Sequence, residues 1–408
     1  MTVLRIDHQC PQCGAPAALE ETDRLFACPF CRVRSVLTAQ DYFRYVLPAK
    51  APASRELVYA PYWRFRGFLL FSRAGGEDYK YIDVNQLGAD MGTLPPSLGL
   101  RAQAMKLKFA APDMEGRFLP PSRSFTETFA AFQQRFIRGM GSGALASAHL
   151  GDAMGLLYSP FYAASRLVDA VLDKPIGAVP SGFETAAAAA GRPDGGVGFL
   201  PALCPDCGWD LEGERDERVL GCGNCGSSWA AAAGALARVD CDCLTGDEQG
   251  LLYLPFWQTA CDIAGIELTT YADLVQAANL PQVVQPGFES RSFRFWTPAF
   301  KIRAPVYLRL AKGLSLTQPQ GLLSPGRPPR RHYPATLPAD DAAETLKVIF
   351  AGMIKPAQRL VEILPAVTIR PLSHRLAYLP FREDRHDFIQ PHTRMAINKN
   401  LLALSRSL

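Results

Sequence analysis

The chain has 408 residues, 48% of them hydrophobic and 20% charged, with a formal net charge of +4; this is the balance of a globular protein long enough for more than one core. No apolar run approaches the roughly 18 residues that suggest a bilayer span, so the sequence reads as soluble, without a membrane span. Its opening residues lack the charged-then-apolar layout of a secretory signal, and its 11 cysteines are therefore expected in a reducing, cytoplasmic compartment rather than in disulfides.

In chain order, the first element is a cysteine knot. Cys10, Cys13, Cys28 and Cys31 form two Cys-x-x-Cys pairs separated by 14 residues. A short knuckle turns both sulfurs of a pair to one side, and the spacer is long enough for a β-hairpin that returns the second pair to the first. That arrangement points to a tetrahedral tetrathiolate zinc ion. Next comes the phrase Tyr59, Pro61, Tyr62, Trp63. A proline there removes a ladder donor and suits a strand start or an edge, and the aromatics are expected in the core. Ser124 and Glu127 make a capping box ahead of an apolar-periodic helix from Phe125 to Ile137. The Tyr-x-Pro-aromatic phrase returns as Tyr158, Pro160 and Phe161. A hairpin is predicted over residues 170–176, with Asp173 and Lys174 at its turn.

Residues 181–200 are rich in Ala, Gly and Pro and read as a linker. Beyond them the pattern starts again. Cys204, Cys207, Cys222 and Cys225 repeat the first knot with each cysteine displaced by 194 residues, and Tyr253, Pro255, Phe256 and Trp257 keep the same register. Residues 104–108 then face 299–303 at a shift of 195. Asp341 and Glu344 offer a second capping box, for a helix over 342–354. Tyr378, Pro380 and Phe381 close the second copy, followed by a hairpin over 395–401 with Asn398 and Lys399 at its turn. The second copy also carries an insertion, within which residues 325–334 read as an extended surface loop.

The two knots differ in charge. From His8 to Arg34 acids and bases cancel, whereas from Cys204 to Trp229 the side chains sum to −4, and four thiolates on a zinc dication add a further −2 to each. A phosphate backbone is repelled by the second knot. The opposite sign lies in residues 291–331, where Arg291, Arg294, Lys301, Arg303, Arg309, Lys312, Arg327, Arg330 and Arg331 occur without an acid. Phe293, Phe295, Trp296, Phe300 and Tyr307 are interspersed, and residues 301–310 partly alternate apolar and basic as strands do. This tract is either an anion-binding or nucleic-acid surface, with Arg291, Arg294, Lys301, Arg303 and Arg309 as its candidates, or a face that is solvated or pairs with the acidic second knot.

Cys241, Cys243 and Cys261 have no counterparts in the first copy. Residues two apart on a strand share a face, so Cys241 and Cys243 offer a third, soft-metal or thiol-redox site with Cys261 or Asp262; the competing reading is packing. The six histidines, His8, His149, His332, His374, His386 and His392, show no catalytic spacing, and no phosphate-binding glycine loop or nucleophile elbow occurs. No catalytic residue is assigned, and the chain is expected not to be an enzyme. The charges between Arg382 and Asp387 read as a turn between strands.

The knuckles Cys10-Pro-Gln-Cys-Gly14 and Cys204-Pro-Asp-Cys-Gly208, with their partners at Cys28 and Cys222, resemble those of the zinc-ribbon superfamily. Arg32 stands where ribbons commonly place Gly. The resemblance implies two structural zinc ions on the eight cysteines and covers about a sixth of the chain; ribbons serve many functions, so it implies no activity. The remainder is similar to bacterial zinc-ribbon proteins without an assigned activity. The expected fold is α+β: two pseudo-symmetric repeats, each a zinc-ribbon hairpin unit followed by a mostly β domain with one main helix. Its parts are ribbon 1 over 1–45, repeat domain 1 over 46–180, a linker over 181–200, ribbon 2 over 201–245 and repeat domain 2 over 246–408. The expected role is a structural scaffold or adaptor for protein partners, with nucleic-acid binding and thiol or metal handling as alternatives.

Overall fold

The computed structural model describes residues 3–51, 54–99, 101–139, 143–193, 195–246, 250–319, 323–328 and 331–405. The first half opens with two hairpins, β1 (Arg5–Gln9) against β2 (Pro16–Glu20) and β3 (Leu25–Ala27) against β4 (Arg34–Thr38). There follow β5 (Phe43–Val46), β6 (Val58–Arg73), β7 (Gly76–Leu87), β8 (Lys106–Phe109), β9 (Arg117–Phe118), α1 (Phe125–Gly139) and β10 (Ala146–Ala163). A hairpin of β11 (Leu167–Asp169) and β12 (Lys174–Gly177) closes it. Adjacent strands run β7, β6, β10, β5, β8, β1, β2, so the first cysteine hairpin is spliced into the sheet of its lobe through the parallel pair β1 and β8.

Alternation along β6 explains what covers this sheet. Trp63, Phe65, Leu69 and Phe71 point to one face, where Phe125, Phe129, Phe132 and Phe136 of α1 meet them; Phe65 lies 5.0 Å from the rings of both Phe125 and Phe129. Those four phenylalanines recur at helical spacing and form one stripe. Leu70 of β6 joins Ala146, Ala148 and Leu150 of β10 in the core of the second half, so the two lobes share a hydrophobic core.

The connection holds α2 (Phe183–Ala189) and β13 (Gly198–Pro201). The second half then comprises β14 (Leu211–Glu212), β15 (Val219–Cys222), β16 (Ser228–Ala232), β17 (Ala235–Arg238), β18 (Cys241–Leu244), β19 (Leu252–Ala264), α3 (Tyr271–Ala277) and β20 (Phe295–Pro298). It continues through α4 (Ala304–Thr317), β21 (Leu323–Pro325), α5 (Ala339–Glu344), α6 (Leu346–Met353), α7 (Ala357–Ile363), β22 (Thr368–Glu383), β23 (Asp387–Ile389), β24 (Ala396–Asn398) and α8 (Lys399–Leu404). Its large sheet runs β20, β19, β22, β18, β21, which repeats β7, β6, β10, β5, β8 strand for strand. The α+β class and the twofold repeat are thus features of the structure.

The register of the repeat departs from the sequence reading in several places. Pro61 stands opposite Tyr158 and Pro255 opposite Tyr378, so the paired phrases lie within the central strands rather than at an edge. The missing N–H does no harm there. On the outer side β6 bonds β9 up to Tyr59 and β7 from Tyr62, and the Pro61 carbonyl accepts from the Gly88 N–H at 2.9 Å, as that of Pro255 does from Ala299 at 3.0 Å. Gly88 is therefore the counterpart of Ala299, and β21 that of β8, which replaces the match of 104–108 to 299–303. The second copy's extra length lies chiefly between β19 and β20, around α3.

Residues 304–317 form a helix, not strands: Pro305 sits in its first turn, and Val306, Tyr307, Leu310, Ala311 and Leu314 are buried at helical spacing. Pro338, not Asp341, caps α5, and Asp341 lies in the first turn. A capping box missed in the sequence heads α3, where Thr270 Oγ1 accepts from the Asp273 N–H at 3.2 Å and Asp273 accepts from the Thr270 N–H at 2.8 Å. The box at Ser124 and Glu127 forms as expected. Asn398 is a helix cap rather than a turn residue, accepting from Asn400 and Leu401 N–H; the hairpin there is β23 with β24. Within the 181–200 segment, β13 turns back to pair with β4 of the first cysteine module.

Candidate metal centres

Four knuckles of one design present the eight cysteines. The N–H of the first cysteine of each pair donates to the carbonyl five residues on: Cys10 to Ala15 at 2.8 Å, Cys28 to Val33 at 3.0 Å, Cys204 to Trp209 at 2.7 Å and Cys222 to Ser227 at 2.8 Å. The residue four places after that cysteine donates back to its carbonyl and takes a left-handed conformation. Gly14, Gly208 and Gly226 do so freely, with φ of 70°, 73° and 74°. Arg32 adopts φ 62° at the Cys28 knuckle, at the steric cost of a Cβ in that region; ligand placement is unchanged.

The sulfurs converge. Cys10 and Cys31 are 3.7 Å apart and Cys13 and Cys28 3.7 Å; Cys204 and Cys225 are 3.6 Å apart and Cys207 and Cys222 3.4 Å. Four sulfurs each about 2.3 Å from a metal form a tetrahedron with edges of about 3.8 Å, so both tetrads fit a tetrathiolate ion. In each tetrad the first cysteine of a pair is buried and the second exposed. Among the described residues these are the two groups of three or more His, Cys, Asp or Glu whose ligand atoms lie within 4.8 Å of one another. No family model, curated protein or solved structure matches the chain. The chemistry is therefore read from the side chains alone.

The two sites differ around their sulfurs. Ser227 Oγ lies 3.3 Å from Cys204 Sγ and 3.0 Å from Cys225 Sγ, and accepts from the Trp229 indole N–H at 2.8 Å. Held by Trp229, the hydroxyl has its proton free to donate to sulfur. For Cys204 as a thiol, burial raises the pKa, but Ser227 and the N–H groups of Cys207 and Asp206 outweigh it and bring it to about 6; Ser227 also lowers Cys225. The first module has the apolar Val33 at this knuckle position. Groups behind metal ligands commonly carry about 10- to 100-fold in affinity, so Ser227→Val is expected to weaken the second site by about that factor. Chelator competition checks this, with the first site unchanged as its internal control.

The modules are not independent beads. Leu25 and Val36 of the first join Leu211, Leu220, Trp229, Cys204 and Cys222 of the second in one buried cluster. The N–H groups of Arg24 and Leu25 both reach the Arg215 carbonyl, at 2.6 and 2.9 Å, while the Arg215 side chain pairs with Asp23. The first module is also tied to its lobe: buried Glu21 is ion-paired with Arg64 and Arg66 of β6.

The other candidate residues are dispersed. Cys241 and Cys243 lie on β18 beside β22, in the places of Arg44 and Val46, and Cys261 lies on β19 beyond β22. Burial pushes the Cys241 thiol up, Cys243 to about 11 and Cys261 to about 12, which disfavours the thiolate that binds metal or attacks disulfides. The three do not form a ligand group; the substitutions relative to the first copy fill sheet positions. In the basic tract, Phe293, Phe295, Trp296, Phe300 and Tyr307 are buried, so none of these rings is presented for stacking. Its charges point several ways. Arg291 lies over Tyr271 at 4.5 Å, Lys312 pairs with Glu77 at 3.1 Å and Arg331 with Glu383 at 2.6 Å. Arg309 donates to the Ala396 carbonyl, Arg303 is exposed at the start of α4, and the backbone of Arg294 is held by Gln318. Arg327 covers Gly221 of the second module. Arg330 lies outside the described residues. Among the described residues no helix is long and apolar enough to cross a membrane.

Proposed function

We propose that the chain is a non-catalytic adaptor, held in shape by two structural zinc ions, that presents its fused cysteine modules to a protein partner. The observation that carries this reading is the exposure of large apolar side chains on the knuckles themselves. Phe30 is 66% exposed between Cys28 and Cys31, and Trp209 is 57% exposed just after Cys207 and Gly208. Such side chains cost a monomer solubility and are typical anchors of a protein interface. Zinc suits the sites because S4 tetrahedral sets select zinc or iron–sulfur chemistry, and a single tetrahedral ion accounts for the closed sulfur geometry. Reduced thiolates require a reducing compartment such as the cytoplasm.

The test pairs metal analysis with surface exchange. Two zinc ions per chain are expected by elemental analysis, and Phe30→Ser with Trp209→Ser is expected to keep both ions while abolishing co-purification of whatever partner the wild-type chain retains from its own cells. A partner held equally by the double variant, or iron in place of zinc, contradicts the reading.

A further inference from the structure

A cleft of about 640 Å³ lies where the four parts of the chain meet. Both cysteine modules wall it, through Arg24 and Val36 of the first and Glu217 and Arg218 of the second, and both lobes close it, through Met154 and through Trp257, Asp340, Asp341 and His374. Junctions between domains are a common place for ligand pockets of this size.

Its charges divide into engaged and unengaged. Arg24 donates to the carbonyls of Glu21 and Asp23 and lies 4.8 Å over the Phe43 ring. Arg238 is paired with Asp206, and Arg218 is likewise engaged. Asp41 has Arg44 and Asp240 has Arg375. Among the described residues, Asp340, Asp341 and Glu217 line the cleft without an ion-pair partner. Glu217 is only 3% exposed; its Oε2 accepts the Glu214 N–H at 2.9 Å, but its Oε1 has no hydrogen-bond partner. A buried carboxylate oxygen left without a donor is unusual in a native protein.

We propose that this cleft binds an organic cation, an ammonium or guanidinium group, between Asp340, Asp341 and Glu217. The charge balance supports a cation over an anion, since five carboxylates, Asp41, Glu217, Asp240, Asp340 and Asp341, line the cleft against three arginines, Arg24, Arg218 and Arg238. An inorganic cation fits poorly, because these oxygens do not form a ligand group within 4.8 Å. Val36, Met154 and Ala231 on the walls suit the alkyl stem that such a group carries. Burial raises Asp341 to about 6 and Glu217 to about 7, outweighing the opposite pull of Arg218 on the first and of Arg327 on the second. The group has two sources, a free amine or the end of a lysine or arginine side chain in a polypeptide.

The experiment titrates the full zinc-loaded chain by calorimetry with three probes. They are agmatine, an acetylated and amidated Ala-Arg-Ala peptide, and the same peptide with citrulline, which is isosteric but neutral. Saturable binding of agmatine, of the arginine peptide or of both is expected, with no response to citrulline; whichever cationic probe binds identifies the source. The Asp340→Asn, Asp341→Asn double variant is expected to weaken binding about tenfold or more. Glu217→Gln does so alone and serves if the double variant fails to keep its zinc and melting curve. Silence of both cationic probes, an equal response to citrulline, or unchanged binding in a folded variant overturns the proposal.

Discussion

Exchange of Cys207 for serine is expected to release one metal ion, unfold the second cysteine module and leave most of the first lobe intact. The module's sheet of β14, β15, β16 and β17 joins neither large sheet. Its inner residues are few: Leu211, Leu220 and Trp229, together with the ligands Cys204 and Cys222, form the cluster shared with Leu25 and Val36. So small a core does not hold by itself, and a structural zinc contributes on the order of 10 kcal/mol of apparent folding free energy to such a unit. Loss of one thiolate ligand therefore removes most of what keeps the module folded.

Cys13→Ser is expected to be milder. The first module continues into the lobe through β1 beside β8, is paired by β13 on its other hairpin, and is bonded at Glu21 to buried arginines. Metal per chain, limited proteolysis across residues 204–238 and thermal melting distinguish the two variants. Early cleavage in that segment for Cys207→Ser, with one metal retained, is the expected outcome. Two retained metals and an unshifted melt contradict it, as does greater damage from Cys13→Ser.

What the sequence disclosed and what it hid follow from the range of the interactions. The cysteine tetrads were legible because a metal knuckle is set by residues within six positions of one another, and the repeat because the Tyr-x-Pro-aromatic phrases pair with each other across the central strands. The helix at Ala304–Thr317 was obscured by a short apolar and basic alternation; the proline in its first turn and the 3.6-residue spacing beyond it carried the better signal. Ser227 was readable only by comparison, as the hydroxyl that stands where the first copy has Val33. The contact of Glu21 with Arg64 and Arg66 spans more than forty residues of chain, and no local pattern announces it. The cleft is still less local, since its walls come from every part of the chain.

That buried ion cluster carries the second large effect. Glu21 is 3% exposed, Arg64 3% and Arg66 0%. Glu21 accepts from the Leu4 N–H at 3.2 Å and from Arg66 at 2.8 Å, and is also bonded to Arg64, which reaches Asp83 at 3.1 Å. Arg66 donates further to the Tyr81 hydroxyl at 3.0 Å, and Gln103 holds Asp83 at 2.7 Å. The second copy has Arg215, Gln258 and Ala260 at the corresponding positions, so the cluster belongs to the first lobe alone. Glu21→Ala removes the carboxylate that the buried Arg64 and Arg66 guanidiniums share, and breaking a buried pair from one side costs about 3–5 kcal/mol. Denaturant unfolding of the metal-loaded protein is expected to show a loss of that size. Removing both charges is a different perturbation, because apolar replacement of a whole buried pair is often neutral or stabilising. Glu21→Leu with Arg66→Met is therefore expected to unfold at higher denaturant than Glu21→Ala alone, Arg64 keeping Asp83 as its partner. A single variant within about 1 kcal/mol of wild type, or a double variant less stable than the single, shows that the attraction within this cluster does not hold the first module to its lobe.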